Sequence, residues 1–230
     1  LQQFAKAMLH IRNNAAEEAL ATLEAVDVNS STAAENMLFR AQLHSSLGND
    51  TTALALYYDY LKVVPTALRS RLSVAQLELK SQELDKARAQ LEQIMRFAPE
   101  HGLTNYLSAI VAYEQKDLNK AKEYIDRAIA NRFSTTASRI LAGIIYNQLG
   151  LNSQALAHLA TVQSQLGVYP PAQRLYTALQ LQAGELTSAA GSLGTTNLTA
   201  DDVNLAAAIA FQLLRAGETN LANDILRQME

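Results

Sequence analysis

The sequence predicts an all-α chain folded as an α-solenoid, a stack of helix hairpins. Three observations carry this: alanines recurring at a fixed interval, glycines punctuating that interval at one place, and a helix-forming composition. Ala19, Ala53, Ala87, Ala121, Ala155 and Ala189 are spaced by 34 residues, and Ala222 follows 33 residues later. A constant period of this length marks helix–turn–helix units, each of which can bury its apolar face only against its neighbours. Hydrophobic residues make up 49% of the 230-residue chain and charged residues 18%, with only 9 Gly and 4 Pro. That is the composition of a folded chain and not of a disordered one.

Each element follows when these alanines are numbered position 20 of their units. Twelve residues earlier, at position 8, stand Ala7, Ala41, Ala75, Ala109, Gly143, Thr177 and Ala210. Four residues after each alanine, at position 24, stand Leu23, Tyr57, Leu91, Ile125, Leu159, Leu193 and Leu226. A small residue on each of two antiparallel helices lets their backbones approach closely, and the large one fills the space beside the contact. Position 15 lies between the helices and is Gly48, Gly150, Gly184 and Gly217 in four units. Glycine there stops the first helix, because it takes a positive φ without steric cost. Asn14 can serve similarly in the first unit, whereas Gln82 and Lys116 require another turn or some strain. Pro65 and Pro99 mark the exit from two second helices. Thr32 with Glu35, and Thr199 with Asp202, are candidate capping boxes opening first helices. Gly191, Gly194 and the polar run 194–199 predict a short or frayed second helix in the sixth unit, followed by a loop or a hinge. The units span approximately 1–33, 34–67, 68–101, 102–135, 136–169, 170–202 and 203–230, one array over 1–230.

The pattern is clearest in RILAGIIYNQLGLNSQALAHL, with Leu141, Gly143, Tyr146, Gly150, Ala155 and Leu159. It resembles the tetratricopeptide repeat (TPR) family over the whole chain, though position 4 lacks that family's Trp and most units lack its terminal Pro. The resemblance implies a right-handed superhelix of about seven repeats, or fourteen helices. It also implies a concave groove lined by positions 2, 5, 9 and 12 of each first helix. The second and third units would supply Glu35, Leu38, Gln42, Ser45, Arg69, Leu72, Gln76 and Leu79. The fourth and fifth would supply Leu103, Tyr106, Ile110, Tyr113, Ile140, Ile144 and Asn147, and the last two Arg174, Leu181, Asn204 and Phe211. The central apolar patch of Tyr106, Ile110, Tyr113, Ile140 and Ile144 suits a docking peptide, and it equally suits packing between helices. The carboxylate clamp of chaperone-adaptor members is disfavoured: Leu38 and Gln42, Leu72 and Gln76, or Tyr106 and Ile110 stand where Lys and Asn are required.

The remaining residues exclude several function classes. A net charge of −3 gives no general attraction to nucleic acid or anionic lipid. The apolar run from Ile140 to Tyr146 is too short to span a bilayer, so this segment is not expected to insert. Without cysteine there is no disulfide, thiolate nucleophile or Cys-type zinc site. His10, His44, His101 and His158 are dispersed, and His10 and His44 share the packing position 11. Tyr57 and Tyr60 fall on a packing face, with Tyr58 turned outward. No catalytic, cofactor-binding or metal-ligating set is expected.

The expected function is therefore a non-catalytic scaffold that binds a protein or peptide partner. A recognition arm of an enzyme whose catalytic domain lies outside these residues, and a self-associating module, stay open. The chain begins at Leu1 without an initiator Met, so it is expected to be a piece of a longer protein. Its texture, low in charge and rich in Ala, Gln, Leu and Ser, is similar to bacterial envelope TPR lipoproteins of exosortase and exopolysaccharide systems. That similarity implies a periplasmic or envelope location, with the cytoplasm as the alternative.

Overall fold

The computed structural model describes residues 2–13, 15–25, 32–193 and 200–229. Fifteen α-helices and no strand occur among them. They pair in chain order: α1 (Gln2–Arg12) with α2 (Ala16–Glu24), α3 (Ala33–Ser46) with α4 (Asp50–Val63), and α5 (Leu68–Lys80) with α6 (Leu84–Met95). Then come α7 (Gly102–Glu114) with α8 (Leu118–Ala130), and α9 (Thr136–Gln148) with α10 (Asn152–Ala160) and the short α11 (Gln163–Leu166). The last pairs are α12 (Pro170–Gln182) with α13 (Leu186–Ser192), and α14 (Ala200–Arg215) with α15 (Thr219–Gln228). The chain divides into two compact units, Leu1–Leu107 and Ser108–Glu230.

All seven position-20 alanines are fully buried, as are the position-8 residues opposite them. The close contact is tightest at Gly143, where an added Cβ would lie 2.6 Å from Cγ and 2.8 Å from Cδ2 of the buried Leu159. Thr177 fits at the same position because its hydroxyl is satisfied by the Gln173 carbonyl at 3.0 Å and faces the Ser192 carbonyl at 3.3 Å. Position 24 is buried from Leu23 to Leu159. In the last pair it turns outward: Leu226 is 38% exposed, and Ile225 takes the buried place.

One turn recurs in every pair. The amide two residues after the first helix's cap donates back to a carbonyl of its last turn. Examples are Asn49 to His44 at 2.8 Å, Glu83 to Glu78 at 2.8 Å, Asp117 to Ala112 at 2.9 Å and Leu151 to Tyr146 at 2.9 Å. This is the Schellman closure, which needs one left-handed residue. Gly48, Gly150, Gly184 and Gly217 supply it with φ of 73–84°, whereas Gln82 and Lys116 are held there at φ 60° and 63°. Of the two readings left open for these residues, strain in the same turn is the one adopted. Asn14 lies outside the described residues.

Helix starts differ from expectation. Thr32 occupies the N-cap of α3 without the side-chain bond of a capping box. Its φ of −110° and ψ of −5° depart from the extended backbone that aims an N-cap oxygen at the first turn. The box instead forms at Thr135 and Ser138 on α9, and Asp117 caps α8 by accepting from the Lys120 amide at 3.1 Å. Thr199 lies outside the described residues, and Asp202 pairs with Arg174 at 3.6 Å.

The helix count exceeds fourteen because the second helix of the fifth pair breaks at the adjacent β-branched residues Thr161 and Val162. The Thr161 hydroxyl donates to the His158 carbonyl at 2.7 Å, and Val162 leaves helical geometry at φ −126°. The break lets Val162 and Leu166 both bury. As the glycines of the sixth unit predict, α13 is short; Gly194 and the rest of the run 194–199 lie outside the described residues.

Candidate partner-binding face

In residues 1–107 the positions assigned to the groove are mixed. Arg69, Glu35, Gln42 and Gln76 are exposed, while Leu38, Ser45, Leu79, Leu103 and Tyr106 are half-buried. Leu72 is a correction: it is buried in the interior, so it offers a partner no surface.

Residues 108–230 carry a more apolar face. Here the first helices touch in series, α9 with α12 and α12 with α14. Ile140, Ile144 and Asn147 on α9 and Leu181 on α12 are half-buried, as are Ile110 and Tyr113 on α7. The row ends on α14 with the large apolar groups left most open: Phe211 is 58% exposed and Leu214 45%. These two occupy positions 9 and 12, like Ile110 with Tyr113 and Ile144 with Asn147. The sequence reading placed Phe211 in the row and passed over Leu214, although its position-12 register marks it. Tyr113 is fixed by a hydrogen bond from Gln148 Nε2 to its hydroxyl at 2.8 Å, and Lys116 Nζ lies 5.5 Å from its ring centroid. Arg174 is not a free cation, since Asp202 neutralises it.

Within the two units there are two sets of polar contacts that the alanine pattern does not reveal. The first joins position 4 to position 23, nineteen residues on. Arg71 Nη1 donates to Gln90 Oε1 at 2.8 Å, Arg139 Nη1 to His158 Nδ1 at 3.1 Å, and Gln173 Nε2 to the Ser192 carbonyl at 2.6 Å. At position 4, where no Trp stands, hydrogen-bonding side chains join the two helices of the hairpin. In the fourth pair Asn105 is buried and donates to the Pro99 carbonyl at 2.8 Å.

The second set joins position 25 of one unit to position 11 of the next. Tyr58 donates to Glu78 Oε1, and Tyr146 donates to Asp126 Oδ1 at 2.8 Å. Tyrosine and carboxylate have exchanged places between the two sites. Tyr58 therefore turns inward rather than outward. Burial first, then the bond to Glu78, pushes its phenol up to about 12, and burial raises the Glu78 carboxyl above its ordinary range. At the second site burial and the Asp126 bond raise Tyr146, and the hydrogen bond to Asp126 raises Lys122. His44 is buried at position 11, as its register predicts.

Among the described residues, no group of three or more His, Cys, Asp or Glu could hold a metal ion, and no helix is long and apolar enough to cross a membrane.

The chain matches no protein-family model and no curated protein. Solved structures do resemble it. A tetratricopeptide repeat protein from Parabacteroides merdae is 14% identical, with 99% of this chain and 91% of that chain covered at a TM-score of 0.70. PilW, a widely conserved type IV pilus biogenesis factor, is 21% identical, with coverage of 88% and 93% and a TM-score of 0.62. YrrB, a TPR protein with an unusual peptide-binding site, is 20% identical, with coverage of 75% and 86% and a TM-score of 0.58. At these identities the likeness concerns the backbone, and it agrees with the register of buried alanines and left-handed turns found above. The chain has the fold of the tetratricopeptide-repeat proteins.

Proposed function

We propose that the chain is a non-catalytic interaction scaffold whose first-helix face in residues 108–230 binds an apolar segment of a protein partner. The observation that carries this reading is the exposure of Phe211 and Leu214 at the register of Ile110, Tyr113, Ile144 and Leu181. An aromatic ring left in water at the end of a half-buried apolar row is the kind of surface that anchors partners. Ile140 extends the row within residues 108–230, and in residues 1–107 Tyr106, Leu79 and Arg69 are proposed separately as that unit's own groove positions. Peptide binding by YrrB supports the partner class, and the biogenesis role of PilW supports a setting in bacterial envelope assembly. A modest peptide site of this kind is proposed to bind with a Kd on the order of micromolar, roughly −8 kcal/mol.

The test is selection from a displayed random-peptide library, followed by titration of the enriched peptides. Apolar peptides should be enriched. Their binding should fall at least about tenfold in the double variant Phe211→Ala with Ile144→Ala, and hold nearly constant as salt is raised. Affinity unchanged by the double substitution removes this face from the account, and a steep salt dependence moves the site to the exposed Arg69.

A further inference from the structure

We propose that the Arg139–His158 contact is an acid-released latch holding α9 to α10 in residues 108–230. A guanidinium can only donate, so at 3.1 Å from Arg139 Nη1 the His158 Nδ1 must offer a lone pair. The ring is therefore neutral, with its proton on Nε2. Protonation fills that lone pair, abolishes the acceptor and leaves two cations at hydrogen-bond distance.

The surroundings favour the neutral ring. From α9, Arg139 opposes a charge on it, and the Tyr146 ring packs against it tilted by 52°, with centroids 4.9 Å apart. From α8, Lys122 opposes the charge, and Asp126 favours it while engaged with Lys122 at 2.9 Å and with Tyr146. From α12, Arg174 is paired with Asp202, and Tyr176 donates to Gln163 at 2.9 Å. The four residues of α11 hold no titratable group, and α10 has none besides His158. Burial, then Arg139, lowers the ring's affinity for a proton below the ordinary 6.5. A base lowered on folding contributes stability that is complete above its unfolded pKa and is lost as pH falls through the folded one. The latch thus holds at neutral pH and releases below about 6.5, the ordinary value for histidine.

His158 is the only histidine beyond His101, so a titration in this range within residues 108–230 reads this group alone. The experiment is amide hydrogen exchange, resolved by segment and corrected for intrinsic pH dependence, on the full chain at neutral and mildly acid pH. Wild type should lose protection in α9 and α10 on acidification, about tenfold for each unit by which the ring sits below its unfolded value. His158→Gln, which keeps an acceptor and cannot titrate, should show no such loss. Equal loss in both proteins, or none in wild type, overturns the proposal. Should His158→Gln fail to fold, Arg139→Gln decides by proton NMR of the ring: its midpoint must move upward relative to wild type, and an unmoved or lowered midpoint refutes the latch.

Discussion

Gly143→Ala gives a sharp test of the packing argument, because two effects of known sign oppose each other there. In an open helix the change is favourable by about 1 kcal/mol, since alanine restricts the unfolded backbone and glycine does not. At Gly143 the new methyl would meet Leu159 Cγ at 2.6 Å, Cδ2 at 2.8 Å and Cδ1 at 3.1 Å. Cγ is not the free end of a side chain, and Leu159 is fully buried, so relief requires a shift of α9 from α10 or a strained rotamer. Overpacking of this kind costs about 1–3 kcal/mol. The expected net effect is a loss of roughly 0–2 kcal/mol, measured by chemical denaturation.

A double-mutant cycle with Leu159→Ala isolates the cause. Alone, that truncation should cost about 2–5 kcal/mol. Combined with Gly143→Ala it should cost about 1–3 kcal/mol less than the sum, because each change makes room for the other. If Gly143→Ala stabilises by the full helix-propensity gain, or if the two substitutions add, the two helices do not meet where the repeat register places them.

Other expectations follow from the same geometry. Gln82→Gly and Lys116→Gly should each stabilise by up to about 1 kcal/mol, since both residues sit at positive φ where a side chain is disfavoured; a loss of stability by thermal or urea unfolding would show that their side chains matter more than their backbone. Tyr58→Phe should cost about 1–3 kcal/mol, because it strips the donor from a carboxylate that is 1% exposed and whose other oxygen has no partner; no loss by urea unfolding would mean that the bond adds nothing. Glu78 holds its proton more tightly folded than unfolded, so its contribution to stability should fall as pH rises from about 4.5 through the folded value and level off above it. Glu78→Gln should remove that slope, and an identical pH profile in the variant would exonerate the carboxyl.

The fold was legible because its determinants are small residues at fixed intervals. Burial of every position-20 alanine, the left-handed turn at position 15 and the pairing of helices all follow from Ala, Gly and period. The break at Thr161 was less visible: two β-branched residues are ordinary within a helix, and only the burial of Val162 and Leu166 makes leaving it favourable. The face was legible as a register and not as an exposure. Leu72 and Ile144 occupy the same class of position, yet the first is buried and the second half open. Distinguishing them requires knowing how closely neighbouring first helices approach, which no single unit's sequence encodes. Tyr58 misled for a related reason: its position on α4 points away from its own hairpin but toward the next unit, where Glu78 waits.

Within each compact unit, the polar contacts help to specify which hairpins stack on one another. Alanine at positions 8 and 20 fits any neighbour equally, so it drives association without choosing a register. The choice falls to side chains whose wrong pairing is expensive. A buried Glu78 set against another unit's position 25 would face Asp126 or Ala160 in place of a phenol donor, leaving the carboxylate bare. Tyr146 moved next to Tyr58 would forfeit its carboxylate. Because tyrosine and carboxylate are exchanged between the two sites, exchanging their partners would set acid against acid at one and phenol against phenol at the other. Polar groups of this kind add little net stability when matched and cost several kcal/mol when not. The same reasoning covers position 4, where Arg71, Arg139 and Gln173 reach different partners in place of one recurring aromatic. A well-ordered array thus needs no recurring aromatic at position 4, since the bonds there differ from one unit to the next.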